Sequence, residues 1–78
     1  MKTWTYDEIT KATEEWITSH MDLARVSGSW DEAQQHVDFA YGMWMLWCGL
    51  TTRRGQKTKD RKRLYSLTKD EKLNRLPE

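Results

Sequence analysis

The segment FAYGMWMLWCGL, residues 39 to 50, contains no charged side chain and constrains the chain more than any other stretch. Its twelve residues fall well short of the about 20 apolar residues that a membrane-spanning helix needs, and Asp38 abuts it. A buried helix is the reading that follows, with no membrane segment. At helical spacing the apolar residues divide into two stripes, and one neighbouring helix cannot cover both. Ala33, Val37, Ala40, Trp44 and Trp47 form the first; Phe39, Met43, Leu46 and Leu50 form the second, roughly 110° away. The leftover sector holds Asp31, Gln35, Asp38, Gly42 and Gly49, which is polar at first and then bare of side chains.

The rest of the chain must supply covers for these stripes. With 78 residues there is room for one domain, near the size at which a single core only just offsets chain entropy. The lone cysteine, Cys48, allows no internal disulfide, which suits a reducing compartment and leaves stability to packing or oligomerisation. The opening MKTWTYDEIT reaches its first acidic residues early and has no apolar core region, so a secretory leader is not expected and the chain is assigned to the cytoplasm.

Local signals mark two long helices. Thr5 and Glu8 make a capping-box pattern, predicting a first helix from about Tyr6 to Val26. Its apolar stripe is read as Ile9, Ala12, Trp16 and Leu23, widened by Tyr6, Ile17 and Ala24, with Glu8, Glu15 and Asp22 on the opposite, solvated flank. Gly28 is expected to end this helix in the left-handed conformation, and Ser29 and Glu32 repeat the box. The second helix ends either at Gly49 or near Gly55, and the longer form, with Arg53 and Arg54 in its last turn, is preferred. Beyond it, a loop leads to a short helix carrying Leu64, Tyr65 and Leu67. A third box, Thr68 to Glu71, precedes Leu73 and Leu76 in a second short piece.

Charge divides the chain in the same place. Residues 1–52 hold three basic and eight acidic side chains, a balance of −5, while residues 53–78 hold ten and four, a balance of +6. We therefore treat 1–52 as an acidic helical hairpin and 53–78 as a basic loop with a short helical C-terminal segment, within a single domain. The basic residues Arg53, Arg54, Lys57, Lys59, Arg61, Lys62 and Arg63 can neutralise phosphates. They can equally lie against the acidic flank of Glu8, Glu15 and Asp22. A net charge of only +1 argues against a dedicated nucleic-acid domain.

Chemistry-bearing constellations are sparse. His20 and His36 lie eight residues either side of Gly28, so a turn there brings them level, yet two imidazoles do not complete a metal site. Cys48 sits in the apolar run as a small hydrophobe with no activating neighbour. No catalytic arrangement, phosphate-cradling glycine loop or cofactor signature is legible, so an enzyme is not expected and no cofactor is assigned. The tryptophans and methionines suit a stacking platform, but at helical spacing a bulky core is the plainer reading. Trp4 and Trp30, each at a helix start, become contact anchors if exposed. The acidic flank has a second use, mimicry of a phosphate backbone to block a nucleic-acid-binding site, which is a variant of protein binding.

The expectation is an all-α chain: an antiparallel two-helix hairpin with one or two short C-terminal helices. Leu64, Tyr65 and Leu67 are too few to cover Phe39, Met43, Leu46 and Leu50, so a helical-bundle homodimer built on the second helix is expected, with Gly42 and Gly49 allowing close backbone approach. The expected function is a small non-enzymatic interaction module that binds and modulates, in the inhibitory direction, a larger protein or nucleoprotein complex. Its size and lack of a site suit a phage or mobile-element product. The contact residues are Trp4, Trp30, Phe39, Tyr41, Met43, Leu46 and Leu50. The rival is a small DNA- or RNA-binding regulator using the basic segment 53–63.

Overall fold

The computed structural model describes residues 3–69, which are all-helical with no strand among them. Three helices follow in order: α1 (Tyr6–Arg25), α2 (Trp30–Thr51) and α3 (Thr58–Leu67). Residues 70–78, including the second half of the third capping box and Leu73 and Leu76, lie outside the described residues.

The start of α1 follows its sequence signal in full. Thr5 Oγ1 accepts the Glu8 N–H at 3.1 Å, and Glu8 Oε1 accepts the Thr5 N–H at 3.0 Å. At α2 only half of the box forms, with Ser29 Oγ accepting the Glu32 N–H at 3.1 Å. The α1 C-terminus differs from expectation. Gly28 does not have a positive φ; the only positive-φ residue described is Gly55, at 76°. The freed carbonyls of α1 are instead met by tight backbone bonds from Val26 and Ser27, and by the Ser27 hydroxyl, which donates to the Leu23 carbonyl at 2.8 Å. No left-handed residue is needed there.

The second helix passes Gly49 but stops at Thr51, so Arg53 and Arg54 fall in a turn rather than in a last helical turn. Side chains satisfy its terminal carbonyls. Thr51 donates to the Trp47 carbonyl, Thr52 to the Cys48 carbonyl, and Gln56 Nε2 to both the Cys48 carbonyl and Thr51 Oγ1. Gly55 then reverses the chain.

Packing centres on α1 and α2. Ile17, Met21, Ala24, Ala33, Val37, Ala40, Trp47 and Leu64 form the core, with Tyr6, Ile9, Met43, Trp44, Cys48 and Leu67 partly buried against it. The first α2 stripe faces inward as read from the sequence. The α1 stripe does so only in part: Ile17 and Ala24 are buried, but Trp16 and Leu23 are about half exposed, and the buried side is Thr10, Ile17, Met21 and Ala24, roughly a third of a turn from the stripe's centre. The reason is Trp47. Its indole is fully buried, and the Nε1–H needs an acceptor, which Thr10 Oγ1 provides at 2.9 Å. A polar residue therefore holds a core position.

The short helix α3 docks on one side of the α1–α2 layer. Tyr6 of α1 receives it: the phenol donates to Asp60 Oδ2 at 2.9 Å and accepts the Lys57 N–H at 3.1 Å. Lys57, the N-cap residue, makes no side-chain capping bond, and Tyr6 meets only its own backbone N–H. Burial, chiefly, raises the Tyr6 phenol above its ordinary range, and the Asp60 carboxylate adds to this against the opposing Lys57 bond. Arg63 pairs with Glu14 of α1 and with Asp60. The helix stops at Thr68, whose buried hydroxyl donates to the Tyr65 carbonyl.

Two outcomes follow. Thr10→Val strands a buried indole N–H and is expected to lower the unfolding free energy by about 1–3 kcal/mol. In urea titrations, Thr10→Val combined with Trp47→Phe should lose less than the sum of the single losses. Gly28→Ala, with open space at the added Cβ, should stabilise by about 0.4–1 kcal/mol, whereas Gly55→Ala should destabilise by more than that because of its φ. Thermal melts of the two variants moving in the same direction would contradict the backbone assignment.

Candidate functional site

The side of the α1–α2 layer away from α3 is open and apolar. Trp4, Trp16, Phe39, Leu46 and Leu50 keep between 49% and 58% of their surface exposed. By helical register Ile9, Ala12, Trp16 and His20 share one side of α1, and Phe39, Met43, Leu46 and Leu50 share the matching side of α2. Between the helices runs a groove of about 490 Å³, lined by Trp4, Ile9, Ala12, Trp16, Met43 and Leu50 among others, with Arg54 at its end. Arg54 Nη1 donates to the Trp4 carbonyl at 2.7 Å, which fixes that end.

An aromatic path crosses this face. The Trp16 ring stacks on His20 at 6.1 Å, and His20 meets Phe39 at 5.4 Å. His20 also faces His36, their Nδ1 atoms 3.2 Å apart, within hydrogen-bonding distance. The two histidines do come level across the α1–α2 contact. No group of three or more His, Cys, Asp or Glu side chains able to hold a metal ion occurs among the described residues.

The sequence-derived contact residues separate into two sets. Trp4, Phe39, Met43, Leu46 and Leu50 come together on the open face. Tyr41 lies on the α3 side, its ring 5.6 Å from Trp44 and 6.4 Å from Tyr65, while Trp44 and Tyr65 are 4.9 Å apart. Trp30 is half-buried at the first position of α2, at the opposite end of that helix from Leu46 and Leu50. Leu64, Tyr65 and Leu67 do not cover the second α2 stripe at all, because α3 sits on the other side. Hydropathy assigns Trp16 to the core, and its place on the open face is legible only once Thr10 and Met21 are counted with Ile17 and Ala24.

The basic segment is also divided. Arg63 is engaged by Glu14 and Asp60, Arg54 by the Trp4 carbonyl, and Lys57 Nζ lies 5.9 Å from the Tyr6 ring centre. Ion pairing raises the Arg63 guanidinium further, with the Glu14 hydrogen bond the largest cause. Arg53, Lys59, Arg61 and Lys62 are exposed and have no acidic partner among the described residues. The expected contact with the flank of Glu8, Glu15 and Asp22 does not form within the chain; Asp22 pairs with Arg25 at 2.7 Å instead. No helix among the described residues is long and apolar enough to cross a membrane.

Cys48 is half-buried, and burial pushes its thiol up, partly opposed by the nearby Arg61 charge. A thiol held protonated is a poor nucleophile. Compared with protein-family models, curated proteins and solved structures, the chain finds no match.

Labelling tests the Cys48 environment. At pH 7.4 an aromatic disulfide reagent should modify the native chain more slowly than free cysteine, with the rate rising only above the ordinary thiol range. Urea should restore the rate of a free thiol. Equal native and unfolded rates would contradict it.

Proposed function

We propose that this chain is a non-enzymatic interaction module: an antiparallel α1–α2 hairpin, braced by α3, that pairs with a second copy and modulates, in the inhibitory direction, a larger protein or nucleoprotein complex. One observation carries the reading, namely the open apolar face on which Trp4, Trp16, Phe39, Leu46 and Leu50 lie about half exposed. Half-exposed side chains of this size leave on the order of 100 Å² each, so the face reaches several hundred Å², a patch size typical of interaction sites. That approaches the about 800 Å² per partner of a stable interface.

A second copy fits by size and by charge. A two-fold axis parallel to the helices lays α1 of one copy over α2 of the other, and every neighbouring pair is then antiparallel, as in up-down four-helix packing. The ring contact of Tyr6 with Trp47 and the bond from Arg54 to Trp4 support setting the α1 N-terminus beside the α2 C-terminus. Glu8, flanking the face, then stands level with Arg53 of the second copy, and the reciprocal pair forms by symmetry. The alternative with α1 over α1 sets the Glu8, Glu15 and Asp22 flanks against each other and is disfavoured by repulsion.

Sedimentation equilibrium at tens of micromolar should give a dimer. Leu46→Asp or Phe39→Asp should give a monomer of unchanged helicity, since both sites are exposed within one chain. A wild-type monomer at that concentration would remove the pairing. Affinity capture from the source cell, with the wild-type chain and the Leu46→Asp chain side by side, tests the wider role: a specific larger partner retained by the wild type supports it, and none overturns it.

A further inference from the structure

We infer that the α2–α3 side binds single-stranded nucleic acid in the recess beside Trp44 and Tyr65, with bases on the aromatic rings and phosphates on the α3 cations. The surface is separate from the open face, so this assignment stands apart from the pairing proposed above.

Three observations converge on it. First, Tyr41, Trp44 and Tyr65 gather into one aromatic cluster, and Tyr41 and Tyr65 stay 40% and 38% exposed rather than completing the core. Second, a shallow recess of about 200 Å³ is lined by Trp44, Tyr65, Arg61 and Lys62. The Trp44 indole is held in orientation by donating its N–H to the Arg61 carbonyl at 3.0 Å, and Lys69 Nζ lies 5.0 Å from the Tyr65 ring centre. Third, α3 sorts its charges. Asp60, its single acidic residue, is turned inward to Tyr6 and Arg63, while Lys59, Arg61 and Lys62 are exposed without a carboxylate partner among the described residues.

The combination selects the ligand class. Cations alone would suit any polyanion, including an acidic peptide. Ring faces, however, carry negative potential that repels carboxylates, whereas they stack favourably with unpaired bases. A duplex hides its base faces within its own stack, so the exposed rings favour a single strand. Arg61 and Tyr65, four residues apart, sit side by side on α3, which places a phosphate contact next to a stacking surface. In the proposed dimer the two recesses point away from each other, and both stay open.

Fluorescence anisotropy with a labelled oligothymidylate strand, at low and moderate salt, tests the assignment. Saturable binding that weakens steeply with salt is expected, with a duplex of equal length binding more weakly. Tyr65→Leu should weaken binding about tenfold with little change in salt slope. Arg61→Gln with Lys62→Gln should lower the slope by about 0.7 for each phosphate that is no longer neutralised. Tyr41→Leu is a second aromatic variant should Tyr65→Leu disturb α3, and helicity is checked for each. The Leu46→Asp chain should bind with the wild-type intrinsic affinity, because the recess lies off the paired face. No binding at low salt, a duplex bound as tightly as the strand, wild-type affinity in both folded tyrosine variants, loss of binding in Leu46→Asp, or displacement by polyglutamate as efficient as by unlabelled strand would each overturn the inference.

Discussion

The fold depends on the burial of one tryptophan. Trp47 has no exposed surface, its N–H is satisfied by Thr10 and its ring meets Tyr6 at 6.1 Å. Tyr6 in turn holds the start of α3 through Lys57 and Asp60. Three helices are thus tied through two aromatic side chains. In a chain with one cysteine and a core of only eight buried hydrophobic residues among those described, few alternative contacts exist to replace that connection.

Much of this is legible in the sequence. Capping residues locate the starts of α1 and α2, and the inward stripe of α2 follows from its spacing, because backbone polar groups and helical periodicity act locally. The departures have separate causes, the largest of them non-local. Hydropathy alone gives Trp16 and Leu23 of α1 to the core and leaves out Thr10 and Met21. Thr10 is buried because a tryptophan 37 residues away needs an acceptor, and no local window contains that requirement. The left-handed role expected of Gly28 is made unnecessary by the Ser27 hydroxyl. The open stripe Phe39, Leu46 and Leu50 is legible as a surplus, but the side on which α3 docks is not. That side is decided by Tyr6, Glu14 and their partners in α3.

The charge asymmetry along the chain translates only partly into asymmetry in space. Most acidic side chains of α1 and α2 stay in water, where a carboxylate at a helix start or beside an arginine in the same helix is sufficiently stabilised. Of the basic run, the residues adjoining α1 are drawn into Tyr6, Trp4 and Glu14, while Lys59, Arg61 and Lys62 face outward. A segment that reads as one uniform positive block therefore does two different jobs. Part of it docks a helix, and part presents charge to the surroundings.

The Tyr6 to Asp60 hydrogen bond spans 54 positions, and the Arg54 to Trp4 bond spans 50. These are long closures for a helical protein of this size, in which most contacts join neighbours in sequence and folding is correspondingly fast. The α1–α2 contact can form early, since only a short turn separates the two helices, but α3 has no docking site until the first residues of the chain are already in place. Folding should accordingly be ordered, with α3 condensing last upon the N-terminal end of α1, and unfolding should begin by its release.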